Sequence, residues 1–353
     1  MAYTDIDDPS AYFQTTLYTG NGQAGHAITN SGNSDLAPNW VWIKSRDDTS
    51  QHRIYDTVRG IKKPLKSDLN NAEGTDNNGV TAFGSDGFTL GNEAQSNGNN
   101  LKFASWNWKA GTAVSGNTTG SGTAKAYTGS VNTDAGFSII RYLGNAAAGH
   151  TVPHHLGVAP KAMIVKSLAA SQSWFINFPF GTGAGYIMLD RTNAGDGSND
   201  SVWSSTAPSS SVVTLGETGG VNENNDAYIM YAFAEKQGYS KFGSYKGNGN
   251  ANGTFVYTGF KPAFVIVKRT DATNYWFMFD DKRSTSGSNP TDKELYPNGN
   301  EAEDTSARFD FLSNGFKNRL NSAGSNTSGG SYIYIAFSEN PFVTSTGVPA
   351  TAK

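Results

Sequence analysis

Three short segments of the chain repeat one pattern of apolar and polar positions. Each segment begins with a proline, continues with large β-forming residues and ends on a lysine six positions later; they span 38–44, 160–166 and 262–268. An apolar run of this length, rich in Val, Ile and aromatic residues, is typical of a strand buried on both faces. Proline is tolerated at the first residue of a strand. The three segments therefore predict three copies of one module.

The surroundings of the three segments also repeat. Upstream of each lies a tyrosine followed two positions later by Gly-Asn, at Tyr18, Tyr142 and Tyr245. Glycine and asparagine tolerate positive φ, so these stretches are predicted to be turns between strands. Downstream come an aromatic strand (52–56, 173–178, 274–280) and a final strand (101–108, 227–233, 331–337), of which the copy at 52–56 is the weakest match. The repeat of roughly 100 residues is the size of a domain.

These patterns predict an all-β protein of three tandem antiparallel β-sandwich modules, of jelly-roll or lectin-like type. A segment rich in Gly, Ser and Thr is interpreted as a flexible or extended linker. Because no comparable segment separates the second and third modules, we expect those two to pack as a pair. The predicted boundaries are an N-terminal arm 1–15, module one 16–110, the linker 111–135, module two 136–238, module three 239–342 and a C-terminal tail 343–353.

Composition narrows the functional class. The net charge is -3 and only 16% of residues are charged, which argues against a nucleic-acid-binding protein with a basic patch. The chain contains no stretch of 18 apolar residues, so no transmembrane helix is predicted. The first residues lack the features of a signal peptide. The chain has no cysteine but is rich in Gly, Asn, Ser and Thr. We expect a protein made in the host cytoplasm and built for the outside, such as a virion surface component released by lysis.

Two glycine- and histidine-containing motifs suggest chemistry but have simpler explanations. Gly20, Gly22 and Gly25 match a dinucleotide fingerprint, but no helix pattern follows, so a turn is the favoured interpretation. The histidines at 150 and 154–155 could bind zinc. No cysteine or spaced carboxylate completes a ligand set, so a polar loop is favoured.

Oxygen-rich loops at 76–79 and 196–200 resemble calcium loops, but they lack the terminal Glu and the flanking helices of an EF-hand. A calcium site held by β-sandwich loops stays open as an alternative to a solvated turn. We predict no cofactor and no metal.

Acidic residues in the third module offer the only catalytic candidates. They are Asp280, Asp281, Glu301, Glu303 and Asp304. A glycosidase needs two facing carboxylates roughly 5 to 9 Å apart, which sequence alone cannot show. No Gly-x-Ser-x-Gly nucleophile motif is present. We therefore predict no catalytic residues and keep a glycan-cleaving enzyme as the third alternative.

Aromatic residues are the candidates for ligand binding. Trp174, Trp203, Tyr275 and Trp276 could stack on sugar rings, since an aromatic face suits the apolar face of a pyranose. Packing in the core is the favoured alternative, because a strand buried on both faces needs no ligand to explain its aromatic residues.

Several phrases of the sequence together resemble a family of structural proteins from tailed bacteriophages of marine bacteria, such as those infecting cyanobacteria and pelagic alphaproteobacteria. The phrases lie at 1–15, 18–22, 41–46, 55–60, 85–91, 106–111, 135–140 and 155–161. Proteins of this family are described as virion structural proteins or tail fibres. The resemblance implies a lectin-like β-sandwich module and carries over no catalytic residue.

The sequence therefore predicts a non-enzymatic virion surface protein of the tail-fibre or receptor-binding type, with contact to host glycans. A capsid decoration protein is the alternative, and it gains weight because no coiled-coil or collagen-like shaft pattern is present. The expected partners are other virion proteins and host surface glycans, with no nucleic acid. We also expect a homo-oligomer.

Overall fold

A computed structural model describes residues 4–178, 185–197, 200–285 and 287–351. The described chain is almost entirely β, as the sequence predicts, and its strands form six antiparallel sheets. By chain order the sheets fall into three pairs, which we call units 1, 2 and 3. Within the described ranges, helical structure is limited to a 3-10 turn at Pro9–Ala11 and two single-turn helices, α1 (Ala94–Asn97) and α2 (Asp200–Trp203).

Unit 1 combines a five-stranded sheet, ordered β1-β8-β3-β4-β5, with a three-stranded sheet, ordered β2-β7-β6. Its strands are β1 (Phe13–Thr19), β2 (His26–Thr29), β3 (Trp40–Ser45), β4 (Arg53–Asp56), β5 (Gly60–Leu65), β6 (Val80–Gly84), β7 (Gly87–Leu90) and β8 (Lys102–Trp108).

Unit 2 combines a seven-stranded sheet, ordered β16-β15-β14-β18-β12-β11-β9, with a three-stranded sheet, ordered β10-β13-β17. Its strands are β9 (Thr112–Asn117), β10 (Thr119–Gly120), β11 (Ala126–Asn132), β12 (Phe137–Leu143), β13 (His150–Pro153), β14 (Ala162–Ser167), β15 (Phe175–Asn177), β16 (Tyr186–Met188), β17 (Val212–Leu215) and β18 (Ala227–Phe233).

Unit 3 combines two four-stranded sheets, ordered β19-β26-β21-β22 and β20-β25-β24-β23. Its strands are β19 (Ser240–Lys246), β20 (Phe255–Tyr257), β21 (Phe260–Arg269), β22 (Trp276–Asp280), β23 (Thr291–Glu294), β24 (Asp304–Leu312), β25 (Gly315–Asn318) and β26 (Ser331–Pro341).

The three repeated proline-to-lysine segments are the strands β3, β14 and β21, and they are buried on both faces. In β3, Val41 and Ile43 point between the two sheets of unit 1, where they pack against residues such as Phe88. Trp40 and Trp42 point the other way, into a second core. The alternation of side chains along a strand thus explains why each segment is apolar throughout.

The second core is shared by all three units. It collects into one cluster the outer faces of the sheets that contain β3, β14 and β21, and we call this cluster the central core. Strand pairing assigns equivalent positions: Trp40 pairs with Trp108, Ala162 with Phe233, and Phe264 with Phe337. The rings of Phe233 and Phe337 lie 5.8 Å apart, and those of Trp108 and Phe337 lie 5.6 Å apart. Aromatic residues of different units therefore meet directly in this core.

Equivalent contacts link the units in a closed ring. In each unit, the residue paired across the sheet with the lysine of the repeated segment has a ring N–H that faces a backbone carbonyl of the neighbouring unit. A backbone N–H near this contact forms a second hydrogen bond between the same two units. The ring contacts are Trp174 to Lys66 at 2.9 Å, Trp276 to Met188 at 2.9 Å and His52 to Tyr296 at 3.0 Å. The backbone contacts are Glu73 to Leu168 at 3.1 Å, Gly195 to Thr270 at 2.9 Å and Glu303 to Arg46 at 2.8 Å.

Three equivalent head-to-tail interfaces that close on themselves define a pseudo-threefold arrangement. We call the interfaces the 1–2, 2–3 and 3–1 seams. The expected pairing of modules two and three, with module one held apart by a linker, is therefore corrected: every unit contacts both others.

Residues 111–135 are not a linker. They form strands β9, β10 and β11, of which β9 and β11 pair with each other at one edge of the large sheet of unit 2. Their Thr, Ser and Gly residues suit an exposed edge strand, where few side chains are buried. The composition that resembles a linker therefore reflects exposure and not flexibility.

The two predicted terminal segments pack on the body and on each other. Ile6 is buried in the central core, and Thr4 Oγ1 donates to the carbonyl of Gln237 at 3.0 Å. Asp7 Oδ1 accepts from the backbone N–H of Ser345 at 2.6 Å. Both segments extend beyond the described residues, at 1–3 and 352–353. The described parts of the expected arm and tail are thus ordered against this same chain.

Candidate functional site

The structure places three of the four predicted ligand-binding aromatics in the interior. Trp174 and Trp203 are fully buried and Trp276 is 1% exposed, so none of these rings offers a face for a sugar. Trp174 and Trp276 instead form the inter-unit contacts described above. Only Tyr275 is exposed, at 39%, and its hydroxyl donates to Glu301 at 3.3 Å. Packing, the favoured alternative, accounts for the three tryptophans.

The candidate metal-binding histidines are held in separate hydrogen bonds. His150 lies between Asn222 and Thr118, at 2.9 and 2.6 Å. His154 contacts the carbonyl of Ser209 at 3.1 Å, and His155 contacts the hydroxyl of Tyr127 at 2.9 Å. Burial lowers the pKa of all three histidines. Within the described ranges, no three His, Asp or Glu side chains come together as a metal ligand set.

The other motifs take these positions. Asp76 accepts from the backbone N–H of Asn78 at 2.9 Å, which makes that loop a local turn. The second candidate calcium loop, 196–200, includes positions 198–199, which lie outside the described residues. After the glycines at 20–25 the chain enters strand β2, so no helix follows the dinucleotide-like motif, as the sequence predicts.

Two of the five acidic candidates of unit 3, Asp280 and Glu303, belong to a buried ion-pair network. Asp280 binds Arg283 Nε, and its Oδ2 also accepts from Trp106 Nε1 of unit 1 at 3.0 Å. Glu303 binds Arg283 at 3.0 Å and Arg46 through both carboxylate oxygens, at 2.7 and 2.9 Å. Asp280 and Arg283 side chains have no exposed surface. These two carboxylates therefore serve the 3–1 seam.

Each unit buries the lysine at the end of its repeated segment. Lys44, Lys166 and Lys268 have no exposed surface, and burial lowers the pKa of each to about 8. Each ammonium donates to two backbone carbonyls, which for Lys166 and Lys268 include one from the neighbouring unit, Asn70 and Thr192. Backbone carbonyls thus replace carboxylates as partners of these charges.

Three buried asparagines escaped the sequence analysis. Asn97, Asn222 and Asn326 are fully buried, and each organises the Gly-Asn turn of its unit. Asn222, for example, accepts from Asn145 N–H and donates to the carbonyls of Ala147 and Gly216. The signal was available: these asparagines all lie nine positions before an equivalent residue of the final strand, Trp106, Tyr231 or Ile335.

A cleft at the 3–1 seam is lined mostly by charged residues, and we call it the 3–1 cleft. It measures about 460 Å³. It is lined by Arg46, Asp47, Lys102, Lys282, Arg283, Ser284, Thr285, Lys293 and Glu303. Five of these residues are cationic and two are anionic, although the whole chain has a net charge of -3. The cleft therefore concentrates positive charge on an otherwise slightly acidic protein.

The charges inside the 3–1 cleft are divided between its floor and its rim. At the floor, Arg46 and Arg283 are paired with Glu303, and Arg283 also with Asp280. At the rim, Lys282 lies 3.4 Å from Asp281. Elsewhere at the rim, Lys293 Nζ donates to a hydroxyl, that of Thr305, at 2.7 Å.

Lys102 is an exposed cation of the rim. Asp47, beside it, accepts from the backbone N–H of Lys102 at 2.8 Å. In the described part of the chain neither Lys102 nor Lys293 is within ion-pair distance of a carboxylate. Both lysines are therefore outside any ion pair among the described residues, although Asp292 interacts electrostatically with Lys293 and Asp47 lies beside Lys102.

The 3–1 cleft was missed by the sequence analysis because its cations come from distant parts of the chain. Arg46 and Lys102 belong to unit 1, whereas Lys282 and Lys293 belong to unit 3. A partial signal existed in the repeat alignment. Arg46 lies two positions after the buried lysine, where the other units have Leu168 and Thr270.

Comparison with known proteins gives one match. The family model described as "Domain of unknown function (DUF7483)" matches residues 8–341, and so covers all three units. No curated protein and no solved structure matches the chain. Among the described helices, none is long and apolar enough to span a bilayer.

Proposed function

We propose, from the premise that this chain belongs to the DUF7483 family, that it is a non-enzymatic structural protein of a bacteriophage virion surface. Within that class we assign it to the tail-fibre or receptor-binding type, which contacts glycans of the host surface. The resemblance of its sequence phrases to virion proteins of marine tailed phages supports the virion placement.

The observation that carries the proposal is the pseudo-threefold ring of units around one central core. Rotation about one axis places equivalent loops of the three units at one level, so a single chain presents three related copies of the same loops. Such a body matches the geometry of a threefold-symmetric partner. Repeated weak contacts to a surface also add up to stable attachment, because each later contact is intramolecular.

The hydrogen bonds and ion pairs of two acidic residues support a structural role and not a catalytic one. Asp280, one of the five acidic candidates, is paired with Arg283 of its own unit and accepts a hydrogen bond from Trp106 of unit 1. A second candidate, Glu303, is paired with Arg46 of unit 1. A general acid or base must reach its substrate within hydrogen-bond distance. The side chain of Asp280 has no exposed surface, and both carboxylate oxygens of Glu303 are engaged by arginines.

Capsid decoration is the second candidate. The units share one compact core, and the sequence lacks the coiled-coil or collagen-like shaft that a long fibre uses. A compact body of this kind would suit the surface of a head, where one unit could bind the shell and the others face outward.

Copy number separates the two placements. Purified particles of the phage that encodes this chain are analysed by quantitative mass spectrometry against the major capsid protein. A few to a few tens of copies support the tail placement, and attachment of the purified protein to host cells then supports receptor binding. Hundreds of copies, with binding to emptied heads, support decoration. Absence from the particle, or release of reducing sugar from host glycan, would overturn the proposal.

A further inference from the structure

We propose that the 3–1 cleft binds the sulfate, phosphate or carboxylate groups of an acidic polysaccharide. This inference rests on the proposed glycan contact and assigns it a place and a chemical class. It starts from the charge of the cleft: five cationic side chains line it against two anionic ones, and Lys102 and Lys293 lie in no ion pair among the described residues. A concave surface lined by one sign of charge focuses the electrostatic potential and attracts the opposite charge.

The repeat shows that the backbone contact at the seam does not require the side chain of Arg46. At the position of Arg46, units 2 and 3 have Leu168 and Thr270, yet the same backbone hydrogen bond from the neighbouring unit forms at all three seams. The fold therefore places no demand for an arginine at this position.

Strand register extends this argument to the rim. The position of Lys102 in the final strand is occupied by Ala227 in unit 2 and by Ser331 in unit 3. Those strands form the same pairs with neutral side chains. The charges of Arg46 and Lys102 are thus surplus to the architecture, and they meet unit 3 only at the 3–1 seam.

The arrangement also fits the geometry of oxyanion recognition. Arg46 and Arg283 form a rigid floor because each guanidinium is fixed on Glu303. The lysines of the rim are flexible point charges, which suit the repeated and variably placed anionic groups of a polysaccharide. The hydroxyl-bearing residues Ser284 and Thr285 add neutral polar groups to the lining.

The test uses the full-length protein and three defined probes. Dextran sulfate and polygalacturonate carry sulfate and carboxylate groups, and neutral dextran carries neither. Binding is measured by isothermal calorimetry in 0.05 and 0.15 M salt. We expect binding to at least one acidic polymer that weakens as salt increases, since salt screens exposed charges, and no binding to neutral dextran.

Two variants locate the site. In the first, Lys102→Ser with Lys293→Gln removes both rim lysines that lie in no ion pair. Serine is the residue that unit 3 has at the position equivalent to Lys102, namely Ser331. In the control, Lys246→Ser with Lys125→Gln removes two lysines of matched exposure whose ammonium groups also donate only to neutral oxygens, those of Ser331 and Asn225. Both variants change the net charge equally.

We expect the cleft variant to lose roughly tenfold in affinity, or about 1.4 kcal/mol, and the control to stay within about twofold of the wild type. Equal losses in the two variants would overturn the inference, as would equal binding of single-stranded DNA or of inorganic phosphate alone. If the cleft variant still attaches to host cells like the wild type, the cleft inference fails while the proposed function stands. If the wild type does not attach to cells at all, the proposed function fails.

Discussion

The 3–1 seam and the 2–3 seam occupy equivalent places in the molecule but are built from different chemistry. At the 3–1 seam, Asp280 is paired with Arg283 and accepts a hydrogen bond from Trp106 of the next unit. At the 2–3 seam the corresponding positions hold Phe178 and Ile335, both buried in the central core. The 1–2 seam repeats the polar solution, with Asp56 paired with Arg59 and bound by Tyr231.

The closed arrangement of the three units therefore does not depend on a buried ion pair at each seam. All three seams keep the same ring N–H contact and the same backbone hydrogen bond, whether the neighbouring position is a carboxylate or a phenylalanine. Buried backbone groups and most buried side-chain polar groups of proteins are hydrogen-bonded. An ion pair, by contrast, can be replaced by apolar side chains that fill the same volume.

Breaking the ion pair at the 3–1 seam is expected to have the largest effect. Asp280→Ala leaves the Arg283 guanidinium buried beside only one carboxylate, and should lower the free energy of unfolding by about 3–5 kcal/mol. Asp280→Ala combined with Arg283→Met also removes the buried guanidinium. The double change should lower the free energy of unfolding by less than the single change does. Chemical denaturation measures both. A double variant as unstable as the single one would show that the charge is not the cause.

Removing a ring contact should have the next largest effect. Trp276→Phe keeps an aromatic ring but removes the N–H that binds the carbonyl of Met188, at a cost of about 1–3 kcal/mol. Trp203→Phe is the matched control, because the buried N–H of Trp203 has no hydrogen-bond partner among the described residues. Thermal and chemical unfolding of the two variants are compared. A loss at position 203 equal to that at 276 would reject the role of this hydrogen bond.

The ring contact of unit 1 should make stability depend on pH. His52 Nδ1 accepts from Trp42 Nε1 at 2.7 Å, so the neutral ring must donate from Nε2 to Tyr296. Burial, followed by the charge of Lys44, lowers the pKa of His52 to about 3. Between about pH 6.5 and pH 3 the unfolded chain holds the extra proton, so this contribution to stability falls as pH falls, by about 1 kcal/mol per unit.

The check is the unfolding free energy at pH 7 and pH 5 for the wild type and for His52→Phe. The variant should be less stable overall but should lose less on acidification, since position 52 no longer titrates. Equal losses in the two proteins would place the pH dependence in other groups.

The apolar seam should respond least. Ile335→Val removes one methylene group at the place where the other units have Trp106 and Tyr231, and should cost about 0.5–1.5 kcal/mol. The loss should be the same at 0.05 and 0.5 M salt, because no charge is involved. A clear salt dependence of this difference would show that the 2–3 seam is also electrostatic. Denaturation at the two salt concentrations decides between these outcomes.

Much of the fold was predictable from the chain because it lies in local patterns. The apolar segments at 38–44, 160–166 and 262–268 indicate strands buried on both faces, and the Gly-Asn turns indicate their connections. Exposure of residues 111–135 was misinterpreted as flexibility, because an edge strand and a linker share the same small polar residues. The burial of Trp174 and Trp276 was favoured by the same reasoning that identified their strands.

The candidate site was not predictable in the same way. The 3–1 cleft joins Lys102 with Lys293, which are separated by most of the chain. No local pattern marks either lysine, since an isolated surface lysine is common. The departure of Arg46 from its equivalents Leu168 and Thr270 is the one trace of the cleft in the sequence.

The strands, their repetition and the all-β class could be predicted from the chain, because side-chain alternation and turn chemistry act over a few residues. The closure of the three units into a ring around one core is visible in the tertiary structure and could not be predicted from the sequence. That choice depends on which buried faces meet, and apolar faces attract without direction. Asp280, His52 and Lys166 each have one hydrogen-bond partner in another unit. Those partners could likewise be identified only from the tertiary structure. The position of the cationic cleft follows from that closure.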